Sequence, residues 1–82
     1  MARSRAPSEE RTSRAIIRDE ALKLFAAHGA DAVTVRQIAH AAGVSPALVV
    51  RHFKSKDGLR EETDQLVLRA FEDMLAEATG PA

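Results

Sequence analysis

Eighty-two residues make one small domain, in the range where a chain buries only about 60% of its unfolded surface and has no room for a second core. Apolar residues at 45% and charged residues at 29% lie near the globular average of roughly half and a quarter, which excludes a wholly disordered chain. Without cysteine there is neither a disulfide framework nor a thiolate zinc site, and the zero net charge conceals a gradient. Residues 1–33 carry six basic and five acidic side chains, residues 34–56 four basic and no acidic, and residues 57–82 two basic and seven acidic, giving +1, +4 and −5.

The first eight residues, with Arg3 and Arg5, read as a flexible basic arm; with Arg11 and Arg14 it is first a solubilising end, and as a function it offers cations to a minor groove or to phosphates. No apolar run follows those charges to form a signal-peptide core, and no stretch approaches ~18 apolar residues, so a cytoplasmic protein with no membrane contact is expected. Ser8 before Glu9 and Glu10 predicts a helix start, with the capping hydroxyl followed by acidic first-turn residues. Ile17, Ala21, Leu24, Phe25 and His28 recur at helical spacing, with Ile16 and Leu22 broadening the stripe, and Gly29 stops the helix. Thr34 caps a second helix whose inward face is Val35, Ile38, Ala39 and Ala42, leaving Arg36, Gln37 and His40 outside.

Gly43 ends that helix, and Ser45-Pro46 is the strongest start signal in the chain: a hydroxyl cap, then proline where its missing N–H costs nothing. The third helix runs from Pro46 to His52 or Phe53. Ser55 caps a fourth, long helix with Asp57 in its first turn, reaching about Ala78, and Gly80-Pro81 follows in the order of a helix stop. No alternating apolar and polar segment bounded by turns occurs, so the fold class expected is all-α: a three-helix bundle with a central helix-turn-helix at 34–53, followed by the long fourth helix from 56 to 79. In that motif Ala39 lets the two helices cross closely, Gly43 permits a positive φ, and Ile38, Ala42, Val44 and Val49 fill the space between them.

Residues 34–59, Thr-Val-Arg-Gln-Ile-Ala-His-Ala-Ala-Gly-Val-Ser-Pro-Ala-Leu-Val-Val-Arg-His-Phe-Lys-Ser-Lys-Asp-Gly-Leu, resemble the N-terminal signature of the tetracycline-repressor family. Upstream, Ile16-Ile17 through Ala21-Leu22-Lys23-Leu24-Phe25 to Gly29 resembles that family's first helix, so the similarity spans roughly residues 12–70. The resemblance implies a DNA-contacting set of Thr34, Val35, Arg36, Ser45, Pro46, Ala47, Leu48, Val50, Arg51, His52 and Lys56. Within it, Thr34 matches a phosphate contact and Arg36 a base-edge contact. Pro46 and Ala47 match base-facing positions where small apolar groups meet a thymine methyl. Ser45 and His52 match capping and phosphate-contacting positions, and Lys56, with the N–H groups opening the fourth helix, matches a backbone clamp.

Two departures stand out. The family commonly has Thr and Tyr where this chain has Leu48 and Val50, so a tyrosine-to-phosphate hydrogen bond is lost, and Ala30 replaces an aromatic residue. The resemblance further implies a C-terminal domain that binds a small effector and forms the homodimer, set on a palindromic operator of double-stranded DNA. The chain stops where that domain would begin, so a fragment or a truncated relative is expected. The fourth helix fits a missing neighbour: Leu59, Leu66, Val67, Ala70 and Met74 form a stripe for the local core, and Leu68, Phe71, Leu75 and Ala78 form a second one.

The competing function is an interaction module that pairs through the fourth helix with a full-length regulator. An enzyme lacks support, since the chain has no cysteine nucleophile, no glycine-rich phosphate loop and no converging Ser, His and carboxylate set. No metal site or cofactor is expected either: His28, His40 and His52 lie on three different helices with no further clustered ligand. Phe25 and Phe53 fall on buried stripes and are expected in the core rather than as platforms for bases.

Overall fold

The computed structural model describes residues 7–79. Within them the chain forms α1 (Pro7–His28), a single 3-10 turn (Ala30–Ala32), α2 (Val35–Ala42), α3 (Pro46–Phe53) and α4 (Lys56–Ala78), with no strand among the described residues. Of the arm expected over residues 1–8, residues 1–6 lie outside the described residues, and α1 begins at Pro7, one residue before the Ser8 assigned as its cap. The all-α class and the ends of α2, α3 and α4 are those read from the sequence.

One cluster holds the body together: Ile17 and Ala21 of α1, Val33 of the connection before α2, Ile38 and Ala39 of α2, Val49 and Phe53 of α3, and Leu59 of α4, all buried. Leu24, Phe25, Val35, Ala42, Val44 and Leu48 pack against its margin. The α1 stripe is narrower than its periodicity suggests, because Ile16 is 44% exposed and His28 is exposed at the helix end. Val33, which lies outside any helix, is fully buried. It precedes the Thr34 cap and shares the core with Ile38 four residues past the cap, the arrangement of a hydrophobic staple that fixes the angle at which the chain enters α2.

The fourth helix departs most from expectation. Its packed face is Leu59, Thr63 and half-buried Leu66, and Thr63 tolerates burial because its hydroxyl donates to the Arg60 carbonyl at 2.8 Å. Beyond Leu66 the expected core stripe is not covered: Val67 is 51% and Met74 61% exposed, and Ala70 is exposed. The second stripe is bare as well, at Leu68, Phe71, Leu75 and Ala78. Periodicity identified which residues share a face, and the end of the bundle at Leu66 decides which of those faces meets another element.

Candidate nucleic-acid interface

Local hydrogen bonds build the helix-turn-helix. The Thr34 hydroxyl accepts from Gln37 N at 3.2 Å while the Thr34 N–H donates to Gln37 Oε1 at 2.8 Å, a reciprocal capping box that starts α2. Gly43 closes the helix in the left-handed region at φ 72°, ψ 31°, where a side chain would be strained. There Gly43 N donates to His40 O at 3.2 Å and Val44 N to Ala39 O at 3.0 Å, the paired bonds of a Schellman turn. Ser45 then caps α3 by accepting from Leu48 N at 3.2 Å, with Pro46 at the first helical position.

These bonds fix which side of α3 faces out. Val49 and Phe53, one turn apart, are its buried residues, so Ala47 and Arg51 fall on the opposite face and Val50 on the flank, all three exposed, with Ser45 and Pro46 exposed at its tip. Thr34 and Arg36 are exposed at the start of α2. The exposed members of the expected contact set are therefore Thr34, Arg36, Ser45, Pro46, Ala47, Val50 and Arg51. Arg36 and Arg51 supply positive charge on a segment without a single acidic residue.

The remaining four members sit differently. Val35 and Leu48 are half-buried against the core, so each offers only an edge to the surface. His52 is half-buried, its Nε2 has essentially no solvent exposure, and its ring is tilted against Phe53 with centroids 6.2 Å apart. Lys56 turns back on the bundle and donates to the Ala30 carbonyl at 3.0 Å, fastening the start of α4 to the turn after α1. At the corner between α3 and α4, exposed Lys54 has φ 72° and ψ −45°, and Ser55 N donates to Phe53 O at 2.8 Å across it, a positive-φ γ-turn that is rare for a side-chain-bearing residue.

Arg14 lies in α1, inside the helix expected from Ser8 to His28, but its role is not the one its grouping with the basic arm suggests: its guanidinium donates to the His52 carbonyl at 2.6 Å and to Glu62 Oε1 of α4. Its carbon also lies 4.2 Å from the Phe53 ring centroid. Its partners are 38 and 48 residues away along the chain, beyond the reach of any local pattern.

Among the described residues, no three His, Asp or Glu side chains are grouped so as to hold a metal ion. No helix among them is long and apolar enough to cross a membrane.

A family model described as bacterial regulatory proteins, tetR family, matches residues 17–63. The chain is 45% identical over 71 residues to the HTH-type transcriptional regulatory protein RaaS of Mycobacterium tuberculosis, covering 87% of this chain and 33% of that protein. Similarity extends to the HTH-type transcriptional regulator BetI of Brucella anthropi, 44% identical over 62 residues, covering 76% of this chain and 32% of that protein. The HTH-type transcriptional repressor KstR2 of Mycolicibacterium smegmatis is 47% identical over 62 residues, covering 71% of this chain and 28% of that protein. The chain thus spans about a third of the length of these curated relatives.

Proposed function

Because the chain belongs to the tetR family of bacterial regulatory proteins and carries that family's helix-turn-helix DNA-binding region, we propose that the exposed face of α2 and α3 reads a specific operator in double-stranded DNA. The observation that carries this reading is the acid-free face itself, held out from the core by two capped helices and a Schellman turn. Arg36 reaches a base edge, Thr34 a phosphate, and Pro46 and Ala47 present small apolar groups to thymine methyls. Arg51 and Lys54, at the other end of α3, add phosphate contacts in place of the tyrosine hydroxyl that Val50 lacks. Lys56 contributes through the start of α4 while its ammonium holds Ala30. His52 acts chiefly by packing.

The regulator acts in the cytoplasm as a repressor that covers a promoter. Two copies bind a palindrome through half-sites about one turn of DNA apart. A small effector, bound by a C-terminal domain of the longer protein, releases it. Charge directs the approach: the +4 segment faces the DNA, and the −5 segment that holds α4 beyond Lys56 is repelled from it.

The test is selection of duplexes from a random pool, followed by fluorescence anisotropy across a salt series. A recurring sequence and affinity that falls steeply with salt are expected. Arg36→Ala should cost about 1–3 kcal/mol on the selected duplex and relax preference at one base position. Equal affinity of parent and Arg36→Ala for every duplex would sink the assignment.

A second reading draws on the bare distal half of α4, where Leu68, Phe71 and Leu75 are each about half exposed. There the chain pairs with a full-length regulator through α4. Loss of that partner in Phe71→Asp, with DNA binding intact, is the result that favours it.

A further inference from the structure

The recognition helix α3 is eight residues long, and its buried side chains, Val49 and Phe53, lie on one face. With half-buried Leu48 these side chains hold the helix against the core, and the bonds at its two ends set its remaining tilt. The N-terminal end is fixed by the Schellman turn and the Ser45 cap. The C-terminal end carries carbonyl groups with no partner inside the helix, and one of them, on His52, accepts from Arg14 at 2.6 Å. A cation at that end also complements the helix dipole. The same guanidinium pairs with Glu62 on α4 and lies over the Phe53 ring, so one side chain on α1 joins the end of α3 to α4.

We infer that Arg14 is a positioning residue for DNA recognition: without touching DNA, it sets the tilt at which the tip of α3 meets the base edges. The inference rests on the DNA-reading function proposed above. Base readout tolerates displacements of only about 0.5 Å, whereas attraction to phosphates does not depend on such alignment. Lysine cannot replace arginine here, because a single ammonium lacks the planar fork that donates in two directions and stacks on the ring.

The decisive quantity is the ratio of affinities for a duplex selected by the parent and for a shuffled duplex of the same composition, at a temperature where melting curves show every variant folded. Arg14→Lys, which keeps the charge, should bind the selected duplex about tenfold more weakly, the loss expected when one base contact is misaligned, and the shuffled duplex as the parent does. Glu62→Gln, which leaves the His52 bond in place, should lower the ratio in the same direction by about threefold, as expected from weakening one charge-assisted contact. A purely structural Arg14 would shift melting and leave the ratio of folded protein unchanged. A phosphate-contacting Arg14 would weaken both duplexes equally. Either outcome overturns the inference, and if Arg14→Lys does not fold, an unchanged ratio in Glu62→Gln overturns it alone. A parent that selects no duplex would instead remove the DNA-reading function itself, so the two failures are distinct.

Discussion

The two halves of α4 are one continuous helix with opposite environments. From Lys56 to Leu66 it buries Leu59 and Thr63 and receives an ion pair from α1. From Val67 to Ala78 every residue is exposed, although this half holds more of the large apolar side chains: Val67, Leu68, Phe71, Met74 and Leu75. Hydrophobic content therefore does not predict burial along this helix. What separates the halves is the reach of α1 and α3, which supply most of the cover that α4 has among the described residues.

The largest expected effect lies in the covered half. Leu59 is fully buried at the junction of α4 with the core, and Leu59→Ala removes its packing and leaves a cavity, so a loss of about 2–5 kcal/mol is expected in urea unfolding. In a domain this small that approaches the whole stability. A loss below about 1 kcal/mol would mean that α4 is not an integral part of the cooperative unit.

A middle-sized effect separates helix formation from packing. Ala70 lies in the exposed half, where glycine costs about 1 kcal/mol of helix propensity and no tertiary contact is at stake. Ala70→Gly should lower helicity by circular dichroism while leaving the main melting transition in place. A downward shift of that transition comparable to the one in Leu59→Ala would show that the distal turns fold as one unit with the body.

What was legible in the sequence divides along a similar line. The limits of α2 and α3 were legible because their signals are local: Thr34, Gly43, Ser45 and Pro46 each act on backbone groups within a few residues. The inward face of α2 was legible from period alone, since Ile38 and Ala39 are buried and Val35 and Ala42 pack beside them. The clamp at Arg14 was not, because its meaning depends on His52 and Glu62, far away in the chain and near only after folding. Val33 was missed because a buried residue in a three- or four-residue connection has no periodicity. Of the candidate site, the exposed tip at Ser45, Pro46 and Ala47 could be read from the cap, whereas the half-burial of Leu48 and the inward turn of Lys56 depend on how neighbouring elements fill space.

The smallest expected effect is the sharpest test of the bare half. Phe71 is 53% exposed and lies on the stripe with Leu68 and Leu75. Had this ring belonged to the core, Phe71→Ala would cost about 3–5 kcal/mol; as a projecting side chain it should change stability by no more than about 0.5 kcal/mol. The measurement has to be made at several protein concentrations, because a surface apolar stripe can be covered by a second copy of the chain, and stability then rises with concentration. A small effect that stays small on concentrating the protein confirms the stripe as uncovered in the chain alone. Stability that rises with concentration in the parent and not in Phe71→Ala would show the stripe joining two copies, and the contrast between the halves of α4 would then be one between a core within the chain and a core shared with its copy.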